Sequence, residues 1–151
     1  MEQVVAGKSF LPVLHELARC YQAFEAYSGQ HIRCLELTPC QFDIIATLGN
    51  TAGMSFRELG QKTLITKGTL TGVVDRLEEK KIVRRVPSPT DGRSQIVRLT
   101  GRGEKLFAEI FPAHLAHLDQ AFRALSADEL QETETVLHRL RGLFETPAEV
   151  Q

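Results

Sequence analysis

Residues 66–103 read TKGTLTGVVDRLEEKKIVRRVPSPTDGRSQIVRLTGRG, and the first part of this stretch has the pattern of an amphipathic helix. Its apolar side chains follow the i, i+3, i+4, i+7 spacing of one buried helix face: Leu70, Val73, Val74 and Leu77. The other positions are small, hydrogen-bonding or charged. The pattern therefore predicts a helix over 66–80 with one buried face and one open face that another surface can approach closely.

The second part of the stretch predicts a β-hairpin. Residues 82–86 and 95–99 are rich in β-branched side chains, and the prolines, Asp91 and Gly92 between them mark a turn. Four arginines lie on this hairpin: Arg84, Arg85, Arg93 and Arg98. A polar helix joined to such a hairpin matches a winged helix-turn-helix, whose helix reads base edges and whose wing reaches phosphates or the minor groove. The alternative is a solvated helix and a solvated hairpin, because charged runs are usually solvated faces.

Several segments resemble the MarR family of bacterial and archaeal transcriptional regulators. The matching segments are TKGTLTGVVDRL (66–77), KKIVRR (80–85), DGRS (91–94) and LTGRG (99–103). The resemblance covers nearly the whole chain. It implies an obligate homodimer that binds a roughly palindromic operator in double-stranded DNA and is often released by a small molecule or by oxidation.

Helix-start patterns complete the predicted fold. Thr38 before Pro39 opens one helix, Ser55 with Glu58 forms a capping box for a second, and Thr100 caps a long third. We expect a mainly α fold with a small β-hairpin wing. We expect one domain over 1–151, with a winged helix-turn-helix lobe at 38–103 and a helical dimerisation region from 9–33 and 101–146.

The terminal regions carry long apolar seams. Near the N-terminus, where Ser9 is the expected helix cap, the seam has the heptad-like spacing of helices that pack on a partner: Phe10, Leu14, Leu17, Tyr21 and Phe24. No sheet is predicted that could cover it. Packing against a second copy is the simplest arrangement, although packing inside the monomer stays open.

The charge is unevenly distributed. The whole chain has a formal net charge of −1, but residues 57–105 contain twelve Lys or Arg and six Asp or Glu. Basic charge is thus concentrated in the segment expected to meet DNA, and binding should weaken steeply with salt. We see no apolar run of membrane-spanning length and no signal peptide, so we expect a cytoplasmic protein without membrane contact.

Specific residues can be assigned to DNA contact. Six on the open helix face are expected to read bases or admit close approach: Lys67, Gly68, Thr69, Thr71, Gly72 and Arg76. On the wing, the resemblance implies Arg93, with Asp91 orienting it. We expect Arg84 or Arg85 near phosphates.

The resemblance also implies a small phenolic or anionic effector between the DNA-binding lobe and the dimer helices. In this chain that region would draw on five side chains: His15, Arg19, Tyr27, His31 and Phe42. Each of them is also compatible with an ordinary packed or surface position.

Cysteine and metal chemistry offer two other ways to sense a signal. Cys40 falls in a predicted first helical turn, where the helix dipole should lower its pKa, and Cys34 is near enough in sequence to form a disulfide with it. His114 and His117, with Asp43 or either cysteine, are a weaker candidate for zinc. We expect no metal site, and three inert thiols remain the alternative to oxidation.

Other classes of protein have little support in the sequence. It contains no glycine-rich phosphate loop after a strand, no GxSxG and no HExxH, so we expect neither an enzyme nor a cofactor. A winged-helix adaptor that contacts proteins without binding DNA is the main alternative. Salt-dependent binding to promoter DNA separates the regulator from the adaptor.

Overall fold

The computed structural model describes residues 8–63 and 65–145. The last residue of the predicted dimerisation region, Thr146, lies outside the described residues. Six helices and three strands are present in the described part: α1 Leu11–Cys34, α2 Pro39–Leu48, β1 Met54–Ser55, α3 Phe56–Thr63, α4 Lys67–Glu79, β2 Val83–Pro87, β3 Gln95–Leu99, α5 Gly101–Phe122 and α6 Ala127–Glu145. The predicted mainly α class with a small wing is confirmed.

The chain divides into two compact units. The described residues up to Leu115 form the first, and the described residues from Ala116 onward form the second. The first contains α1 to α4, the sheet and most of α5, and the candidate sites described below lie within it. The predicted single-domain organisation with its internal boundaries stays a prediction.

The sheet has three antiparallel strands in the order β1-β3-β2. The predicted hairpin is confirmed, with Val83 opposite Leu99 and Pro87 opposite Gln95. Its first strand begins at Val83 and not at Ile82, so that prediction was one residue early. Strand β1 was not predicted, because it has only two residues and exists through the pairing of Met54 with Val97. This short strand ties the start of α3 to the wing.

Three predicted helix starts are confirmed by their hydrogen bonds. The Thr38 hydroxyl accepts from the Gln41 N–H at 3.2 Å, and the Gln41 side chain accepts from the Thr38 N–H in return. Ser55 and Glu58 form the same reciprocal pair. The Thr100 hydroxyl accepts from the Gly103 N–H at 3.1 Å. Each pair satisfies backbone donors that the first helical turn leaves open.

The predicted cap of the first helix was wrong. α1 begins at Leu11, its N-cap residue is Phe10, and no side chain caps it. Pro12 still lies in the first turn, where its missing N–H breaks no helical hydrogen bond.

The core of the first unit joins α2, α3, α4 and the sheet. Its least exposed large side chains are aliphatic: Ile44, Ile45, Leu48, Leu59, Leu70, Val74, Leu77, Val83 and Val97. All four apolar residues predicted to face inward from α4 are buried. Because they fix the rotation of α4 about its axis, they also fix which side chains face outward. Among the described residues, no helix has the length and apolar character needed to cross a membrane.

Gly103 gives a stability test of this packing. A Cβ at this position would lie 2.1 Å from the Ile82 carbonyl oxygen, a backbone atom that cannot move aside cheaply. Gly103→Ala should therefore lower the free energy of unfolding by about 1–3 kcal/mol, the usual range for overpacking. Urea unfolding measures it, and Gly101→Ala is the matched control because a Cβ at Gly101 would meet nothing within 4 Å. Equal stability of the two variants would contradict the close approach of α5 to the backbone of Ile82, just before β2.

Candidate nucleic-acid interface

Helix α4 presents a continuous polar face to solvent. All six residues of α4 that were predicted to contact DNA are exposed: Lys67, Gly68, Thr69, Thr71, Gly72 and Arg76. They share the helix with the four buried residues of the core face. The Thr66 hydroxyl donates to that of Thr69 at 3.1 Å, so the start of the face is locally ordered. The structure therefore presents these side chains together for contact with another molecule.

The two glycines of this face are not required by the chain's own packing. A Cβ built at Gly68 or Gly72 would meet no heavy atom within 4 Å. Glycine inside a helix is destabilising by about 0.5–1 kcal/mol relative to alanine. A helix that keeps two exposed glycines without an internal reason is suited to close approach by a partner.

Gly72→Ala should separate folding from binding. The free energy of unfolding should rise by about 0.5–1 kcal/mol, because alanine is the better helix former and the methyl group meets open space. DNA affinity should fall, because the same methyl group would occupy the surface that we expect DNA to approach. Thermal unfolding and fluorescence anisotropy with labelled DNA measure the two effects. Unchanged DNA affinity in the stabilised variant would show that this turn of α4 does not approach DNA closely.

The wing tip is held by short-range hydrogen bonds. The Asp91 carboxylate accepts from the backbone N–H of Arg93 at 3.1 Å, and the Ser88 hydroxyl accepts from the Asp91 N–H at 3.3 Å. Both Asp91 and Arg93 are exposed. Asp91 thus shapes the backbone that carries Arg93, and the contact observed is with that backbone and not with the guanidinium.

The arginines of β2 lie on opposite faces of the hairpin. Arg84 is exposed and pairs across the strands with Arg98, whereas Arg85 pairs with the buried Val97. Arg85 forms ion pairs with Asp75, and with Glu78 at 2.9 Å. Since Arg85 is already paired with two carboxylates of the protein, we now expect Arg84, and not Arg85, to lie near phosphates.

A groove beside the start of α4 was not foreseen from the sequence. It has a volume of about 610 Å³ and lies among α3, the start of α4 and the end of the wing. The residues lining it are Ser55, Phe56, Arg57, Gly60, Gln61, Ile65, Lys67, Leu70, Ser94 and Gln95. Arg57 and Gln61 add exposed polar side chains next to Lys67. One feature of the sequence pointed towards this groove: Arg57 is the first basic residue of the segment 57–105, in which basic charge is concentrated.

A cluster of histidines lies where α1, α2 and α5 meet. His31 Nδ1 is 2.9 Å from His114 Nδ1, and Ser28 Oγ is 3.1 Å from His114 Nε2. The Phe42 ring lies against His114 with centroids 4.6 Å apart. Two Nδ1 atoms at hydrogen-bond distance require one ring to donate and the other to accept. His114 is only 4% exposed, so this is a polar cluster inside an otherwise apolar junction.

The structure brings together only some of the residues predicted for the effector site. His31 and Phe42 both contact His114, and Tyr27 is half-buried nearby on α1. His15 and Arg19 are exposed on the first half of α1. Sixteen residues separate His15 from His31, which is roughly 24 Å along a straight helix. Within one chain, His15 and Arg19 are therefore remote from this cluster, while Ser28 and His114, which were not predicted for this site, belong to it.

Comparison with known proteins shows which family this chain belongs to. A sequence model of the MarR family matches residues 35–94. The HTH-type transcriptional regulator MhqR of Bacillus subtilis (strain 168) is 32% identical over 124 residues, covering 82% of this chain and 86% of that protein. The chain belongs to the MarR family of transcriptional regulators. MarR proteins are DNA-binding regulators and not enzymes.

Solved MarR structures have the same fold. BpsR of Bordetella bronchiseptica, whose DNA binding is regulated by 6-hydroxynicotinic acid, is 28% identical with a TM-score of 0.75, covering 86% of this chain and 98% of that one. A MarR regulator of Streptomyces coelicolor in complex with DNA is 22% identical with a TM-score of 0.78, covering 93% and 90%. The second likeness concerns the fold alone.

The cysteines of this MarR chain are free thiols, and the expected pKa of Cys40 was wrong in direction. Cys34 is exposed and Cys40 is half-buried. Burial, helped by the negative charge of Asp43, raises the pKa of the Cys40 thiol. Both effects act against the lowering that the helix dipole was expected to produce. The thiolate that oxidation requires is therefore disfavoured at Cys40.

The side chains proposed as a possible zinc site are not arranged as metal ligands in the described residues. His114, one of its two histidines, contacts Ser28 and His31. Across residues 8–63 and 65–145, no group of three or more His, Cys, Asp or Glu side chains is placed to hold a metal ion.

Proposed function

We propose that this MarR protein is a sequence-specific repressor that binds a pseudo-palindromic operator in double-stranded DNA as a homodimer. The observation that carries the proposal is the exposed polar face of α4 beside a wing that presents Arg84 and Arg93. The face is suited to the major groove, and arginine on a wing is suited to phosphates or the minor groove. The excess of basic residues over 57–105 supports the same partner.

Exposed apolar side chains support the homodimer. On α1 and just before it, five are more than two-fifths exposed: Phe10, Val13, Leu14, Tyr21 and Phe24. Four on α6 are also more than two-fifths exposed: Val136, Leu137, Leu143 and Phe144. A chain in water rarely leaves such seams uncovered, and a twofold dimer buries them symmetrically.

The histidine cluster is proposed as the effector site. His31, Ser28 and His114 offer hydrogen-bonding groups beside the apolar Phe42 ring, which is the mixture that a small aromatic acid requires. The effector that regulates BpsR is such an acid. Release by cysteine oxidation has less support, because burial raises the pKa of Cys40.

The effector site can be tested with His31→Ala. 6-Hydroxynicotinic acid and related hydroxylated aromatic acids are titrated into the complex with DNA. Loss of a hydrogen bond to a charged ligand should raise the concentration needed for release about 10- to 100-fold. His15→Ala is the matched control, being exposed on the same helix and remote from the cluster. Equal responses of wild type and His31→Ala would place the effector elsewhere.

DNA binding itself is tested with the DNA upstream of the protein's own gene. We expect a shift at low salt that weakens steeply as salt is raised, and a protected region with two similar halves. No binding to this or to randomised duplexes at low salt would instead support the adaptor, a winged helix that contacts proteins.

A further inference from the structure

Arg85 joins three elements of the DNA-binding lobe. Its guanidinium pairs with Asp75 and Glu78 on α4, and its backbone N–H donates to the Glu78 carboxylate at 3.1 Å. Its Cζ atom lies 5.4 Å from the centre of the Phe56 ring at the start of α3. The side chain is 22% exposed, so it is partly shielded from water.

The two carboxylates lie where DNA is expected. Asp75 follows Thr71 by four residues and Gly72 by three, so it belongs to the same exposed helix face. Its side chain is 51% exposed. Glu78 lies one helical turn further on, on the side facing the hairpin, and is 39% exposed. Unpaired carboxylates at these positions would repel phosphates.

We propose that Arg85 is a positioning residue that offsets, from within the protein, part of the negative charge of Asp75 and Glu78, so that the α4 face can approach DNA. The inference rests on the proposed DNA-binding function and assigns Arg85 no direct contact with DNA. Arg85 also holds the wing against α4, because one side chain joins β2 to two successive turns of the helix.

A second substitution that restores the net charge distinguishes a positioning role of Arg85 from a direct contact between Arg85 and a phosphate. Arg85→Gln leaves the local charge one unit more negative, and its DNA affinity should fall about tenfold at low salt and less at high salt. Adding Asp75→Asn brings the net charge back to that of the wild type. The double variant should recover affinity to within about threefold, with a wild-type salt slope, because no phosphate contact has been lost.

Arg84→Gln is the matched control. It removes the neighbouring exposed arginine of the same strand. Adding Asp75→Asn to Arg84→Gln should not restore the wild-type salt slope of DNA binding. A double variant of Arg85 that stays as weak as Arg85→Gln, or whose salt slope falls as that of Arg84→Gln does, overturns the proposal.

Two further variants cover the case in which Arg85→Gln does not fold, as checked by thermal unfolding. Asp75→Asn alone should strengthen DNA binding by removing a negative charge, whereas a purely structural ion pair predicts weaker binding. Arg85→Lys keeps the charge and should retain most of the affinity. Weaker binding by Asp75→Asn overturns the proposal, and failure of the wild type to bind any DNA overturns this inference and the proposed function together.

Discussion

Replacing Arg93 by alanine should weaken operator binding by about 10- to 100-fold while leaving the protein folded and dimeric. Arg93 is exposed at the wing tip, and its observed hydrogen bond is made by its backbone N–H to Asp91. The substitution keeps that N–H, so the turn should survive. The salt slope should also fall by about one for each lost phosphate contact. Fluorescence anisotropy at several salt concentrations measures both quantities.

Arg123→Ala is the control for the removal of positive charge. Arg123 is exposed in the second unit and pairs with Asp119. Its loss should leave the affinity and the salt slope close to wild type. Equal losses at both positions would mean that Arg93 acts only through overall charge.

Placing a charge in the apolar seam of α1 should abolish dimerisation. Phe24 is 46% exposed within one chain, and the proposal buries it against a second copy. Phe24→Glu would bury a carboxylate without a partner, which folded interfaces do not tolerate. We expect a monomer, and DNA affinity lower by roughly 10²- to 10⁴-fold because one bound half no longer holds the other near the duplex. Sedimentation velocity and anisotropy measure the two effects.

Gln22→Glu provides the control for this prediction. Gln22 is exposed on α1 two residues before Phe24 and outside the seam, and the change adds the same charge. This variant should remain a dimer that binds DNA. A Phe24→Glu protein that stays dimeric would show that the seam does not form the interface.

Local patterns carried most of the fold prediction. The core face of α4, the hairpin and the caps at Thr38, Ser55 and Thr100 each depend on residues close together in sequence. Such features follow from helix periodicity, turn chemistry and capping hydrogen bonds. The error at Ser9 also has a local cause, since a serine before a helix predicts a cap only when the helix begins directly after it.

Features that depend on residues far apart in sequence were missed. The pairs of Ser28 and His31 with His114 span more than eighty residues, and no local pattern connects them. The pKa of Cys40 depends on burial as well as on its place in a helix. Likewise, the hairpin pattern showed four arginines but not that Arg85 folds back on two carboxylates of α4. A sequence pattern gives charge and side-chain type, whereas packing decides which charges remain available to a partner.

The proposed function requires two copies of this chain to place two α4 faces and two wings on one duplex. Native mass spectrometry of the protein mixed with its upstream DNA counts the chains bound to each duplex. We expect a complex of two chains per duplex at low salt, and no complex containing a single chain at comparable abundance. A single chain bound to DNA as the dominant species, or no complex at all, would refute the proposed dimeric regulator.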